Sequence, residues 1–155
     1  MTTEMTDLDE QVIDFILRIT KAMGLDLDTE VDETPDHLRV NLSGNGAEIL
    51  LRRKGEPLDA LQVIVNTAFG REARGDRHYV VDALGYRKGK DVELQKMAKI
   101  LAEKARTTDT PQEIGPLNPY SRRLVHLAVA EDPEMTSESI GDAFLKTVVI
   151  SRKRG

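Results

Sequence analysis

The apolar residues of this chain change period at Gly24, and that switch limits the fold more than any other feature. Before it, Leu8, Val12, Phe15, Ile16, Ile19 and Met23 recur every three or four positions. That is the spacing of one helix face, so a helix is predicted over 8–23 with Gly24 as its stop. After it, Leu25, Leu27, Thr29 and Val31 alternate with acids, and Leu38, Val40 and Leu42 alternate with Arg39 and Asn41. A two-residue period belongs to strands that bury one face. With Pro35-Asp36 turning the chain, the two segments predict an antiparallel hairpin against a helix.

Ser43-Gly44-Asn45-Gly46 ends the hairpin and offers Asn45 as the cap of a short helix at 47–51. Pro57 then sits where a first-turn proline is tolerated, because its missing N–H would be unpaired there. Leu58, Leu61, Ile64, Val65, Ala68 and Phe69 mark a second helix, closed by Gly70. A polar loop, "REARGDR", leads to a strand from His78 to Leu84. The order is αββααβ, and a boundary is expected near Gly85. Beyond it, Val92, Leu94, Met97, Leu101 and Ala105 predict a long helix with a lysine-rich polar face at 88–106. The segment "DTPQEIGPLNP" breaks that helix and should include a short extended piece. Asn118 caps a helix to Ala130 with Pro119 in its first turn. Met135–Gly141 reads as loop or weak strand, and Thr147–Ile150 as a final strand. The expected organisation is a disordered N-terminus at 1–7, one unit at 8–86 and a second at 87–155.

Between the helices at 47–51 and after Pro57 lie three adjacent cations, Arg52, Arg53 and Lys54, followed by Gly55. Adjacent like charges repel and contribute nothing evident to packing. The overall charge of −5 conceals an asymmetry: residues 1–36 hold 11 carboxylates against two bases, and the rest hold 16 against 20. An acidic front with a basic remainder fits a nucleic-acid binder, and equally ordinary drift in composition. There are no cysteines, which excludes disulfides and thiolate metal sites. No apolar run approaches a membrane span, and the acidic start does not read as a secretory signal. A cytoplasmic protein without membrane insertion is expected.

Catalytic signals are sparse. His37, His78 and His126 stand far apart, without the i+3 or i+4 partner of a helical zinc pair. Neither a phosphate loop nor a dinucleotide glycine fingerprint is present. We therefore expect no catalytic residues, no metal and no cofactor. Two clusters remain. At the cationic turn, the free N–H groups and positive dipole end of the second helix face the same point as Arg52, Arg53 and Lys54. Gly55 would let a backbone come close. That is an anion clamp suited to a sugar-phosphate chain, or else a solvated loop. In "NPYSRRLVHLAVAEDP", Arg122 and His126 share one helix face. They could grip phosphate and stack on a base. Alternatively, His126 fills a crevice and Arg122 pairs with Glu131 or Asp132.

The two clusters resemble one family. The αββααβ order, with the cationic turn where Gly-x-x-Gly is found, resembles a type II KH domain. Arg122-Arg123-Leu124-Val125-His126 resembles the Arg-x-x-x-His of the R-3-H domain, a small α/β unit. "VNLSG", "GEPLDALQ", "NPYSRRLVHLA" and "EMTSESIG" follow the pattern and order of the bacterial Jag family over residues 8–153. The resemblance implies an α+β fold, a KH domain followed by an R-3-H domain. It also implies non-catalytic binding of single-stranded RNA, or of single-stranded DNA, across both domains. The implied contacts are Arg52, Arg53, Lys54, Gly55, Arg122, Arg123 and His126, with Arg152 and Lys153 extending the basic track. Two departures stand out. Arg52 replaces the first glycine of the turn, where its side chain either blocks the backbone or adds a phosphate contact. The N-terminal Jag domain of many relatives is not recognisable ahead of residue 8. A turn that no longer binds RNA would leave an adaptor, pairing with a second KH protein or with the cell-division or translation machinery.

Overall fold

The computed structural model describes residues 5–33, 37–70 and 78–154. The turn at Pro35-Asp36, the loop at 71–77 and residues 1–4 of the expected disordered lead fall outside them. The chain divides into two compact units, Met1–Arg87 and Lys88–Gly155, each mixing helices with one three-stranded sheet.

In the first unit, α1 (Asp7–Ala22) starts at a capping box. Thr6 and Asp7, expected in the disordered lead, are its cap and first residue. The Thr6 N–H donates to Asp9 Oδ2 at 3.0 Å, and the Asp9 N–H donates to Thr6 Oγ1 at 3.1 Å. This satisfies donors that a helix start otherwise leaves open. Asp9 is fully buried, and its Oδ1 accepts from Tyr79 Oη at 2.7 Å, so the cap also tethers helix to sheet. Strand β1 (Asp28–Glu33) pairs antiparallel with β2 (His37–Ser43), as the alternation predicts. Strand β2 pairs parallel with β3 (His78–Ala83). Parallel neighbours need a crossover, here a 3-10 helix (Ala47–Leu51) followed by α2 (Arg52–Phe69). Val12, Ile16, Leu38, Val40, Leu42, Leu50, Leu58, Val65 and Val81 form the core between helices and sheet.

Three local expectations change. Strand β1 begins at Asp28, and Leu25 and Leu27 are buried ahead of it. The 3-10 helix is preceded by Gly46 at φ +90° rather than capped by Asn45. Strand β2 does not expose its polar face: Arg39 is only 7% exposed, and His37 is buried as well. As the central strand it lies between carboxylates on both neighbours. Asp32 of β1 is 3.8 Å from Arg39 Nη1, and Asp82 of β3 is 4.0 Å from its Nε. A buried guanidinium persists where opposite charge accompanies it.

The second unit contains most of α3 (Tyr86–Thr108), then β4 (Gln112–Leu117), α4 (Pro119–Ala130), β5 (Met135–Ile140) and β6 (Lys146–Arg152). Its sheet is antiparallel with β6 central, in the order β4-β6-β5. Residues 135–140, expected as loop or weak strand, are fully paired with β6. The buried face of α3 is a row of alanines, Ala98, Ala102 and Ala105, with Leu94 and Leu101 partly buried. The expected Val92 and Met97 are exposed. Positions 98, 102 and 105 follow the helical repeat as well as the larger residues do. Leu94, Leu101 and Ala105 therefore fall on the expected side, and a pattern weighted by hydrophobicity errs only in adding Val92 and Met97 and passing over Ala98 and Ala102. Val125, Ala128, Val129, Met135, Val148 and Ile150 complete this core.

Candidate nucleic-acid interface

The chain leaves the 3-10 helix through Arg52 in ordinary extended geometry, φ −59° and ψ 149°. Arg53 (φ 52°), Lys54 (φ 60°) and Gly55 (φ 84°) then form three successive left-handed residues before α2 becomes regular. A side chain in that region costs about 1–2 kcal/mol, so Arg53 and Lys54 are held there by their surroundings. Leu50 and Leu58, both buried, anchor the two flanks of the turn. From below, Tyr86 Oη donates to the Lys54 carbonyl at 3.2 Å. Gly55 lies directly over that ring: a Cβ there would stand 3.1 Å from Tyr86 Cε1. Glycine is thus required twice, by φ and by space. Arg52 is under no such constraint, since its backbone suits any residue.

Arg52, Arg53 and Lys54 are exposed, and their side chains have no hydrogen bond or ion pair among the described residues. The free N–H groups at the start of α2 share the turn with them. Glu56 is the adjacent exposed acid. Asp59, one turn on, is bonded to Arg87 at 2.9 Å. The arrangement offers backbone donors, a helix dipole and three cations to one anionic strand.

In the second unit, Asn118 Oδ1 accepts from the Ser121 N–H at 2.8 Å, which fixes the start of α4 as its sequence predicts. Arg122 does not pair with Glu131 or Asp132. Its Nη1 donates to the Leu117 carbonyl at 2.7 Å and to the Phe144 carbonyl at 2.8 Å. Glu131 is held by Lys99 at 2.9 Å, and Asp132 lies 3.9 Å from Arg106. His126 Nδ1 is 2.7 Å from Ser137 Oγ, and its Nε2 is 2.9 Å from Ser139 Oγ. A hydroxyl can donate or accept, so the two serines suit a neutral ring in either tautomer. Burial lowers the His126 pKa from the ordinary histidine value, and the Arg122 cation lowers it further. The imidazole is therefore uncharged at neutral pH, with both nitrogens turned to β5.

Arg123 is exposed on α4, and Arg152 and Lys153 are exposed at the end of β6. Arg122 grips the other end of that strand, where Leu117 pairs with Lys146. Six residues at about 3.3 Å each put Arg152 about 20 Å from Lys146 along the strand. The structure thus gathers Arg122 and His126 around the β5–β6 hairpin and leaves Arg152 and Lys153 apart. Arg152 and Arg154 instead line a hollow with Asp109, Pro111 and Ser151.

Residues 92–152 match the R-3-H domain family. Over 149 residues the chain is 31% identical to the RNA-binding protein KhpB of Clostridium symbiosum, covering 95% of this chain and 67% of that protein. The chain belongs to the KhpB (Jag) family. Similarity to KhpB of Bacillus subtilis is 26% over 97% of this chain and 74% of the relative. For KhpB of Lactiplantibacillus plantarum it is 22%, over 91% of this chain and 44% of the relative. In this KhpB-family chain the R-3-H match encloses Arg122, His126, both serines, Phe144 and Arg152, and stops before Lys153.

Sequence reasoning on the KhpB-family chain missed Tyr86, Ser137, Ser139 and Phe144. Ser137 and Ser139 stand two apart and so face one side of β5. That signal was readable once "EMTSESIG" is taken as a strand. Tyr86 had no local signal, since its partner Lys54 lies 32 residues away. Among the described residues, no helix is long and apolar enough to cross a membrane.

Proposed function

We propose that this protein binds single-stranded RNA without catalysis, as a bacterial post-transcriptional regulator or RNA-chaperone-like factor in the cytoplasm. The first unit serves as a type II KH module whose phosphate-facing turn is Arg52-Arg53-Lys54-Gly55. One observation carries the reading: an exposed turn of three cations, two of them on left-handed backbone and all unpaired among the described residues, joins the free N–H end of α2. Unneutralised charge on strained backbone is costly for stability alone and useful to a polyanion ligand. The relatives are named as RNA-binding proteins, which supports the same reading. In the second unit the Arg-x-x-x-His helix with Arg123 forms a further contact, and Arg152 with Lys153 a separate basic patch.

The test is binding of mixed single-stranded RNA across a salt series. Each phosphate contact contributes about 0.7 to the slope of log affinity on log salt. Arg53→Glu with Lys54→Glu should weaken binding and flatten that slope. Salt-independent binding, or none, would sink the proposal. Restoring glycine at Arg52 separates the adaptor alternative, because a large gain in affinity would mean that the native turn is impaired. The φ of −59° at Arg52 favours little change. Labelled RNA kept with Mg²⁺ should stay intact.

A further inference from the structure

We propose that Phe144 is a stacking platform for one unpaired base of a bound strand, and that Arg122 is the residue that positions it. The proposal rests on the reading of this protein as a nucleic-acid binder and names how one of its surfaces meets a base. Phe144 lies in the β5–β6 connection, in the exposed run Gly141–Leu145, and is 73% exposed, more than any other large hydrophobic side chain described. Its ring touches no other ring among the described residues. Such a residue would ordinarily drift with its loop. Here its backbone is fixed, because Arg122 Nη1 bridges the Phe144 carbonyl to the Leu117 carbonyl.

His126 secures the other arm of the same hairpin through Ser137 and Ser139. The Arg-x-x-x-His pair therefore holds the loop that presents the ring. Arg122 Nε and Nη2 keep no hydrogen bond among the described residues, so the guanidinium that holds the Phe144 backbone can also meet a phosphate. Lys146 adds positive charge beside Arg122 at the base of the hairpin loop, against the single acid Asp142 of the loop. Ile140, the last residue of β5, and Leu145, next to Phe144 in the chain, are exposed as well. A purely apolar partner would fit those two, but it would leave the neighbouring cations without counter-charge. A base stacked on the ring brings its own phosphate to them.

The experiment compares wild type, Phe144→Ala and Phe144→Trp against a short uridine oligomer and a sugar-phosphate strand of equal length lacking bases. Phe144→Ala should weaken binding of the uridine strand about fivefold or more, about fivefold being the low end of what one stacked base contributes. Binding of the baseless strand should not change. The chain has no tryptophan, so Phe144→Trp adds a single emitter at this loop. Its emission should be quenched by the uridine strand and not by the baseless one, with affinity retained. Added to Phe144→Trp, Arg122→Lys should loosen the loop and reduce the quench more than the affinity. Equal uridine affinity for wild type and Phe144→Ala, equal losses on both strands, or unchanged emission on a saturated strand would each overturn the platform while leaving nucleic-acid binding intact. A wild-type protein that binds neither strand would overturn both.

Discussion

Replacing Gly55 by alanine tests the account of the cationic turn most directly. The new Cβ meets two penalties. At φ +84° a side chain costs about 1–2 kcal/mol relative to glycine. In space, the Cβ would stand 3.1 Å from Tyr86 Cε1, so the ring must yield and its bond to the Lys54 carbonyl weakens, costing about 0.5–1 kcal/mol. A stiffer unfolded chain returns about 0.5 kcal/mol. The net loss should be about 1.5–2 kcal/mol. Because the chain has two units, the assay should read the first alone, by hydrogen exchange of the slowest β2 and β3 amides. In a Tyr86→Ala background the steric part disappears, and Gly55→Ala should cost only about 1 kcal/mol. A loss below about 0.5 kcal/mol, or the same loss in both backgrounds, would show that Tyr86 does not buttress the turn.

Other expectations follow from single contacts. Asp9→Ala removes the carboxylate half of the capping box, which accepts from the Thr6 N–H, and leaves the buried Tyr79 hydroxyl without this acceptor, so the first unit should lose about 2–4 kcal/mol; a loss under about 1 kcal/mol in urea unfolding would contradict that. His126 has a folded pKa below its unfolded value near 6.5, so its contribution to stability is complete above that pH and is lost as pH falls through the folded value. An NMR titration of its ring protons should therefore show a midpoint below about 6.5, and a midpoint above it would refute the neutral, serine-bonded ring. Arg122→Ala should speed amide exchange in residues 141–145 and lower the salt slope of RNA binding by about 0.7; unchanged exchange would deny its hold on the Phe144 carbonyl.

Local chemistry wrote much of this protein into its sequence. The switch from a helical to a two-residue period, the Asn118 cap with Pro119, and the antiparallel hairpin all depend on residues a few positions apart. Those interactions operate within one turn or one strand pair, so a short window contains both partners. The mixed α and β character followed from them. What lay outside any window was settled by tertiary neighbours. Arg39 is buried because β2 became the central strand between two carboxylates. The alanine row of α3 was chosen over Val92 and Met97 by what covers it. Tyr86 underlies Gly55, and the serines of β5 take both nitrogens of His126, because folding brings distant segments to contact distance. The sequence determined which residues carry charge; the tertiary structure decided which of those charges are occupied and which face solvent, since pairing depends on distance in space and not along the chain.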